Sequence, residues 1–222
     1  MNFQTFFVFC AAAIGGTAFA AEPQSASEAV REGLVAVQSR NLDELYLRPN
    51  ADLAGYRKVL IDPVRAEIRG DWQKNLNYTR NVSRWVGPDD ARRIAADAAS
   101  SLESVIAQTY KARGYEIAAA PEPGVLHLSA SIADLYVNAP DRYSAWTTKT
   151  FTRDAGQATL ALEARDAVSG TLLARVVHRG TAREISRINP ASDVSNRFWF
   201  DTLFRRWTAD CIAEFEASRN RP

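Results

Sequence analysis

Two histidines, one cysteine beyond the first twenty residues and a carboxylate set in an apolar run are the groups from which chemistry would have to be built. His127 and His178 each stand without a second His or Cys at ligand spacing, whereas zinc takes three or four ligands. A Ser-His-Asp relay would have to use one of them, and no Gly-x-Ser-x-Gly elbow supports it. Both read as structural or surface histidines. Asp62 is the most suggestive polar residue. Val59-Leu60-Ile61 and Val64 surround it, so its carboxylate is partly buried and needs partners. Two roles are open to it: an acid/base or ligand carboxylate, or a strand-end Asp that bonds backbone amides. Glu163, Arg165 and Asp166 read as a solvated face. The residues assign no catalytic, cofactor-binding or metal site.

Trp72, Tyr78, Trp85, Tyr143 and Trp146 fall in stretches without periodicity, near several arginines. Part of this set is expected to lie over the core. The rest, with Asp62, forms a candidate interaction set, because Trp, Tyr and Arg are the common anchors of interfaces. Cys211 lies in an apolar helical stripe and reads as a small buried hydrophobe.

The elements that must hold these residues follow from periodicity. Residues 43–49 alternate and end at Pro49, an edge-strand pattern. Residues 56–68 read as one buried strand with Pro63 at a kink, bulge or edge position. Residues 72–85 have no clear period and read as a long loop. Gly87-Pro88-Asp89-Asp90 opens a helix: proline pre-sets φ, and the aspartates favour the positive helix start. Apolar residues at i, i+3 and i+4 carry it to about Arg113, where Gly114 stops it. A short strand at 115–119, a long alternating strand at 125–137 and an irregular connection at 142–150 follow. A hairpin pairs residues 157–165 with 172–179 around the turn 166–170, and Leu172, Ala174, Val176 and His178 share one face by alternation. A last helix spans about 193–217, with Phe200, Leu203, Phe204, Trp207, Cys211 and Phe215 as its stripe. The expected fold is α+β: a two-layer sandwich of a mixed, mostly antiparallel sheet of about five strands, with two long amphipathic helices on one face.

The chain's start carries an address. Phe6 to Gly16 form an apolar core too short to span a bilayer, which takes about 20 apolar residues. Ala18-Phe19-Ala20 supplies the small-x-small pattern of a cleavage site. The expected layout is a signal peptide at 1–20, a flexible leader at 21–41 and a single α/β domain at 42–222. Bulky Phe9 before Cys10 argues against a lipid anchor, so the expected product is periplasmic or secreted. Cleavage leaves Cys211 alone, without an internal disulfide. The 27 Lys and Arg against 26 Asp and Glu leave a net charge of +1, which gives no global attraction for nucleic acid or anionic membrane. No later stretch is apolar for the length of a transmembrane span.

The runs Leu45-Tyr46-Leu47-Arg48-Pro49-Asn50-Ala51-Asp52-Leu53 and Gly55-Tyr56-Arg57-Lys58-Val59-Leu60-Ile61-Asp62-Pro63-Val64 resemble a bacterial family of unknown function, DUF3313. So do Gly124-Val125-Leu126, Asn138-Ala139-Pro140 and the hairpin from Ala155 to Gly170. The resemblance spans nearly the whole chain beyond the signal and implies an envelope protein, often a lipoprotein, without an established activity. The reading is a binding or assembly module, more a partner for another envelope protein than an enzyme. The alternative is a hydrolase, or a small-ligand or lipid-binding protein, with a site near Asp62.

Overall fold

A computed structural model describes residues 29–78, 82, 85–138, 151–152, 154–183, 189–190 and 193–220. After a helical turn at residues 29–31 come strands β1 (Val35–Val37), β2 (Glu44–Leu47), β3 (Lys58–Ile61) and β4 (Arg65–Ile68). Helices α1 (Trp72–Tyr78) and α2 (Pro88–Ala112) follow, then β5 (Glu116–Ile117) and β6 (Val125–Val137). The chain continues through β7 (Phe151–Thr152), β8 (Asp154–Asp166), β9 (Leu172–Arg183), β10 (Asn189–Pro190) and α3 (Asp193–Glu216).

The sheet has eight strands, not about five, in the order β1-β2-β9-β8-β6-β3-β5, with β4 also paired to β6. Part of the difference is proline chemistry. The stretch expected as one strand does run alongside β6, but Pro63 has no N–H to give the ladder. Pairing therefore lapses between Ile61 opposite Leu128 and Arg65 opposite Ser131, leaving β3 and β4 as two parallel partners of β6. Glu103 of α2 takes up the Val64 N–H at 3.2 Å within the gap. Another strand, β1, comes from the stretch expected to be leader: Val35–Val37 pair antiparallel with β2.

The alternation expected of β6 and β8 is what places the core. Leu126, Leu128, Ala130 and Ile132 of β6 and Ala158, Leu160, Leu162 and Ala164 of β8 are buried in one cluster with both long helices. The helices thus cover one face of the sheet, the opposite face carrying the polar residues. On β9 the alternation slips, because the β8–β9 register shifts between Ala164 and Arg165. Leu173 joins the helix-side core, while Leu172 packs on the far face with Ala29, Leu34 and Tyr46.

The helix starting at Gly87 forms as its caps dictate: Asp90 Oδ2 accepts the Gly87 N–H at 2.9 Å, and Pro88 opens the first turn. Beside it, α3 runs parallel. Asp97 meets Arg197 at 3.8 Å, the Ser101 hydroxyl donates to Asp201, and Arg113 meets Glu216 at 3.3 Å. The stretch expected as a loop at 72–85 begins instead as α1, because Trp72 and Leu76, four apart, bury one side against Val86.

Candidate functional site

The polar side chains gather on the sheet face that the helices leave open. His127 and Ser129 are two apart on β6 and therefore share that face. Asp62 follows β3, and its N–H still donates to Leu128 O at 2.9 Å, which fixes its carboxylate beside both residues. His127 Nε2 lies 2.7 Å from Asp62 Oδ1, and the Ser129 hydroxyl donates to Oδ2 at 2.5 Å. Burial pulls the Asp62 pKa upward, but the bonds from Ser129 and His127 and the charges of His127 and Arg65 outweigh it and hold the carboxyl below its usual range. Asp62 is therefore an ionised acceptor at neutral pH.

The order of the three groups decides what they can do. A serine nucleophile needs an imidazole at its own oxygen, with the carboxylate behind the ring. Here the carboxylate stands between ring and hydroxyl. Ser129 gives its proton to a weakly basic oxygen, which does not activate it.

The cluster extends sideways by strand register. Ser129 stands opposite Glu163 and His127 opposite Arg165. Glu163 binds Arg165 at 2.9 Å and lies 3.6 Å from Arg175, which stands opposite Tyr46 on β2. Arg165 also reaches Glu32 at 3.8 Å. Glu163 and Arg165, expected on a solvated face, are half-buried members of a compensated charge row. Asp166 belongs to the turn. The bond from the Ser169 N–H foremost, then, against an opposing effect of burial, those from the Ser169 hydroxyl, Tyr56 and the Val168 N–H hold its carboxyl low. Tyr56 donates to Asp166 at 2.9 Å, and burial, then this bond and the Asp166 charge, push its phenol up to about 12.

His178 is elsewhere. Its ring packs 6.0 Å from Trp207 of α3, and Nδ1 lies 3.0 Å from Asp43 Oδ2, which also accepts the Arg179 N–H at 2.7 Å. Among the described residues no three His, Cys, Asp or Glu side chains converge on a metal position. No helix among them is long and apolar enough to cross a membrane.

The aromatic set divides. Trp72 is fully buried and its indole N–H donates to Val137 O at 2.9 Å, so it serves the core and leaves the interaction set. Tyr78 is 90% exposed and Trp85 50% exposed. Tyr143 and Trp146 lie outside the described residues. The structure adds Phe198, 55% exposed on α3 and edge-on to Trp199, which sequence reading missed beside the stripe that begins at Phe200. The partners of Asp62 were equally hidden. Period-two spacing puts His127 and Ser129 on one face, but only the parallel β3–β6 register, 65 residues apart for His127, brings Asp62 to them.

Fold and site together define an α+β protein in which a mixed sheet backs a parallel helix pair and turns a charge-paired face outward. The chain belongs to DUF3313, described as a protein of unknown function, whose family model matches residues 23–209. No curated protein matches it in sequence. Similar solved structures include the PelC dodecamer from Paraburkholderia phytofirmans, at 15% identity over 73% of this chain and 96% of that one, with a TM-score of 0.34. Protein XCC0632 from Xanthomonas campestris, matched by the DUF330 family model, is 10% identical over 73% and 85%, with a TM-score of 0.37. A putative neuraminyllactose-binding hemagglutinin homolog from Helicobacter pylori is 13% identical over 75% and 90%, with a TM-score of 0.34. These values carry no functional argument.

Proposed function

We propose that this protein is an exported module of the bacterial cell envelope that works by binding another envelope protein. The observation that carries the reading is the geometry at Asp62. The carboxylate that chemistry would use is already held by His127 at 2.7 Å and Ser129 at 2.5 Å, and the neighbouring Glu163 and Glu32 balance Arg165 and Arg175. Such a row holds the shape of a surface with its bonds already made; it offers no activated nucleophile. The exposed Tyr78 and Trp85 supply the anchors a partner would bury. Export is supported by the apolar run before Ala18-Phe19-Ala20, and Phe9 before Cys10 speaks for a product without a lipid anchor.

Cross-linking in the intact periplasm followed by affinity capture tests this reading. One defined envelope protein should be recovered with the unaltered chain and lost with the Tyr78→Ser/Trp85→Ser variant. Recovery of none, or equal recovery with the variant, counts against it.

A second reading has one observation behind it. With Asp62 on Nε2, the His127 ring is oriented and its other nitrogen could take a proton from water, a general-base arrangement for hydrolysis. Asp62→Asn and His127→Gln variants assayed on ester and phosphoester panels would have to lose a measurable activity of the parent; a parent without activity on either panel ends this alternative.

A further inference from the structure

A cleft of about 720 Å³ opens where β2 stops accompanying β9. The last β2 pairing is Glu44 with Val177, and from His178 onward no described strand covers that edge of β9. The cleft lies apart from Asp62, and none of the Asp62 cluster lines it. Its volume is that of a small-molecule site, yet its walls are not apolar like those of a lipid carrier.

Three arginines from three elements line it: Arg69 after β4, Arg179 on β9 and Arg206 on α3. Arg69 is engaged, bonded to Asp71 at 2.6 Å with its guanidinium 4.2 Å from the centre of the Tyr136 ring. Arg179 and Arg206 are exposed, and neither is held in an ion pair among the described residues, the Arg206 charge acting only at range on Asp210 one turn along α3. Arg179, on the open face of β9, and Arg206, on α3, border the cleft from its two sides, and guanidinium groups match a carboxylate or phosphate, which takes up their forked N–H donors. Beside them stand Asp134 and Asp210, which accept hydroxyl donors, and Gln157 and Thr181, which serve either sense of hydrogen bond.

We infer that this cleft binds an anionic, hydroxyl-rich ligand: a carboxylate- or phosphate-bearing saccharide or polyol whose charge Arg179 and Arg206 hold while the acids and amide receive its hydroxyls. This inference deepens the binding reading by giving the module a ligand class, and rests on it.

The test is NMR titration of the mature protein with three probes of matched length: trigalacturonic acid, a glycerol-phosphate trimer and neutral maltotriose. At least one anionic probe should bind and shift the amides of Gln157 and Thr181. Its affinity should fall with added salt and drop about tenfold or more in Arg179→Gln/Arg206→Gln, as loss of charge-assisted bonds requires. Which anionic probe binds separates a carboxylate ligand from a phosphate one. Silence from both, equal binding of maltotriose, or binding that survives the double variant overturns the inference. The amide shifts in the unaltered protein stand independently of how the variant folds. Partner capture with the double variant separates the two readings: recovery of the envelope partner, with no probe bound to the parent, leaves the module standing and removes the ligand.

Discussion

At the scale of single residues, the network around Asp62 makes stability depend on acid. Its folded pKa lies below the value of about 3.9 it has in the unfolded chain. The unfolded state therefore takes a proton first as pH falls, and the stabilisation present above that value is lost through the lowered folded one. Asp62→Asn should flatten the acid limb of a thermal-midpoint profile below about pH 4. At neutral pH it should cost about 1 kcal/mol, kept small because the carboxylate is 43% exposed and water screens it. An unchanged acid limb contradicts the Asp62 assignment. Tyr110 offers the reverse case. Its hydroxyl is buried with no hydrogen-bond partner among the described residues. Tyr110→Phe removes an unsatisfied group, so urea unfolding should show equal or greater stability, by up to about 1 kcal/mol. Loss of that much instead would reveal a partner. Cys211 is fully buried, and burial, with the nearby Asp210 and Glu214, pushes its thiol far up. It should resist a thiol reagent in the native protein and react fully in denaturant.

At the scale of elements, close approach sets what may stand at two glycines. A Cβ on Gly180 would meet Leu203 at 2.7 Å and Trp207 at 2.9 Å, so this glycine lets α3 settle on β9. Gly180→Ala should destabilise by about 1–3 kcal/mol in denaturant titration, since the side chains above it can give way only in part. Gly156→Ala should cost more. There φ is +145° and the added carbon would lie 1.9 Å from the Tyr136 carbonyl oxygen, which is backbone. Equal effects at both positions would refute this ranking. The elements also show what the sequence could disclose. α2 and α3 were legible because a cap and an apolar stripe are local, and β6 and β8 because alternation is local. The split at Pro63 was visible as a proline but not as two strands, since the lapse depends on which strand lies alongside. α1 was missed because seven residues with two buried positions give too short a period. Leu172 was put on the wrong face because a bulge in the partner register has no mark of its own. Asp62 stood out for its apolar neighbours, whereas its companions came from a register that no local pattern encodes.

At the scale of the whole molecule, the export reading predicts a mature chain starting near Ala21, measurable as an N-terminus by mass spectrometry; retention of Phe6 to Gly16 would refute it. The parallel arrangement of α2 and α3 bears on how such a chain could be delivered. Two antiparallel helices close through a short loop, but these meet across 100 residues, as the Ser101–Asp201 bond records. Seating the second helix therefore depends on contacts far apart in sequence, whose closure is slow. Until α3 arrives, the apolar side of β8 and β9 has no cover from Phe204 and Trp207. On the export reading, a chain whose core closes through contacts so far apart in sequence is slow to fold, and an unfolded thread is what a narrow translocation pore can pass.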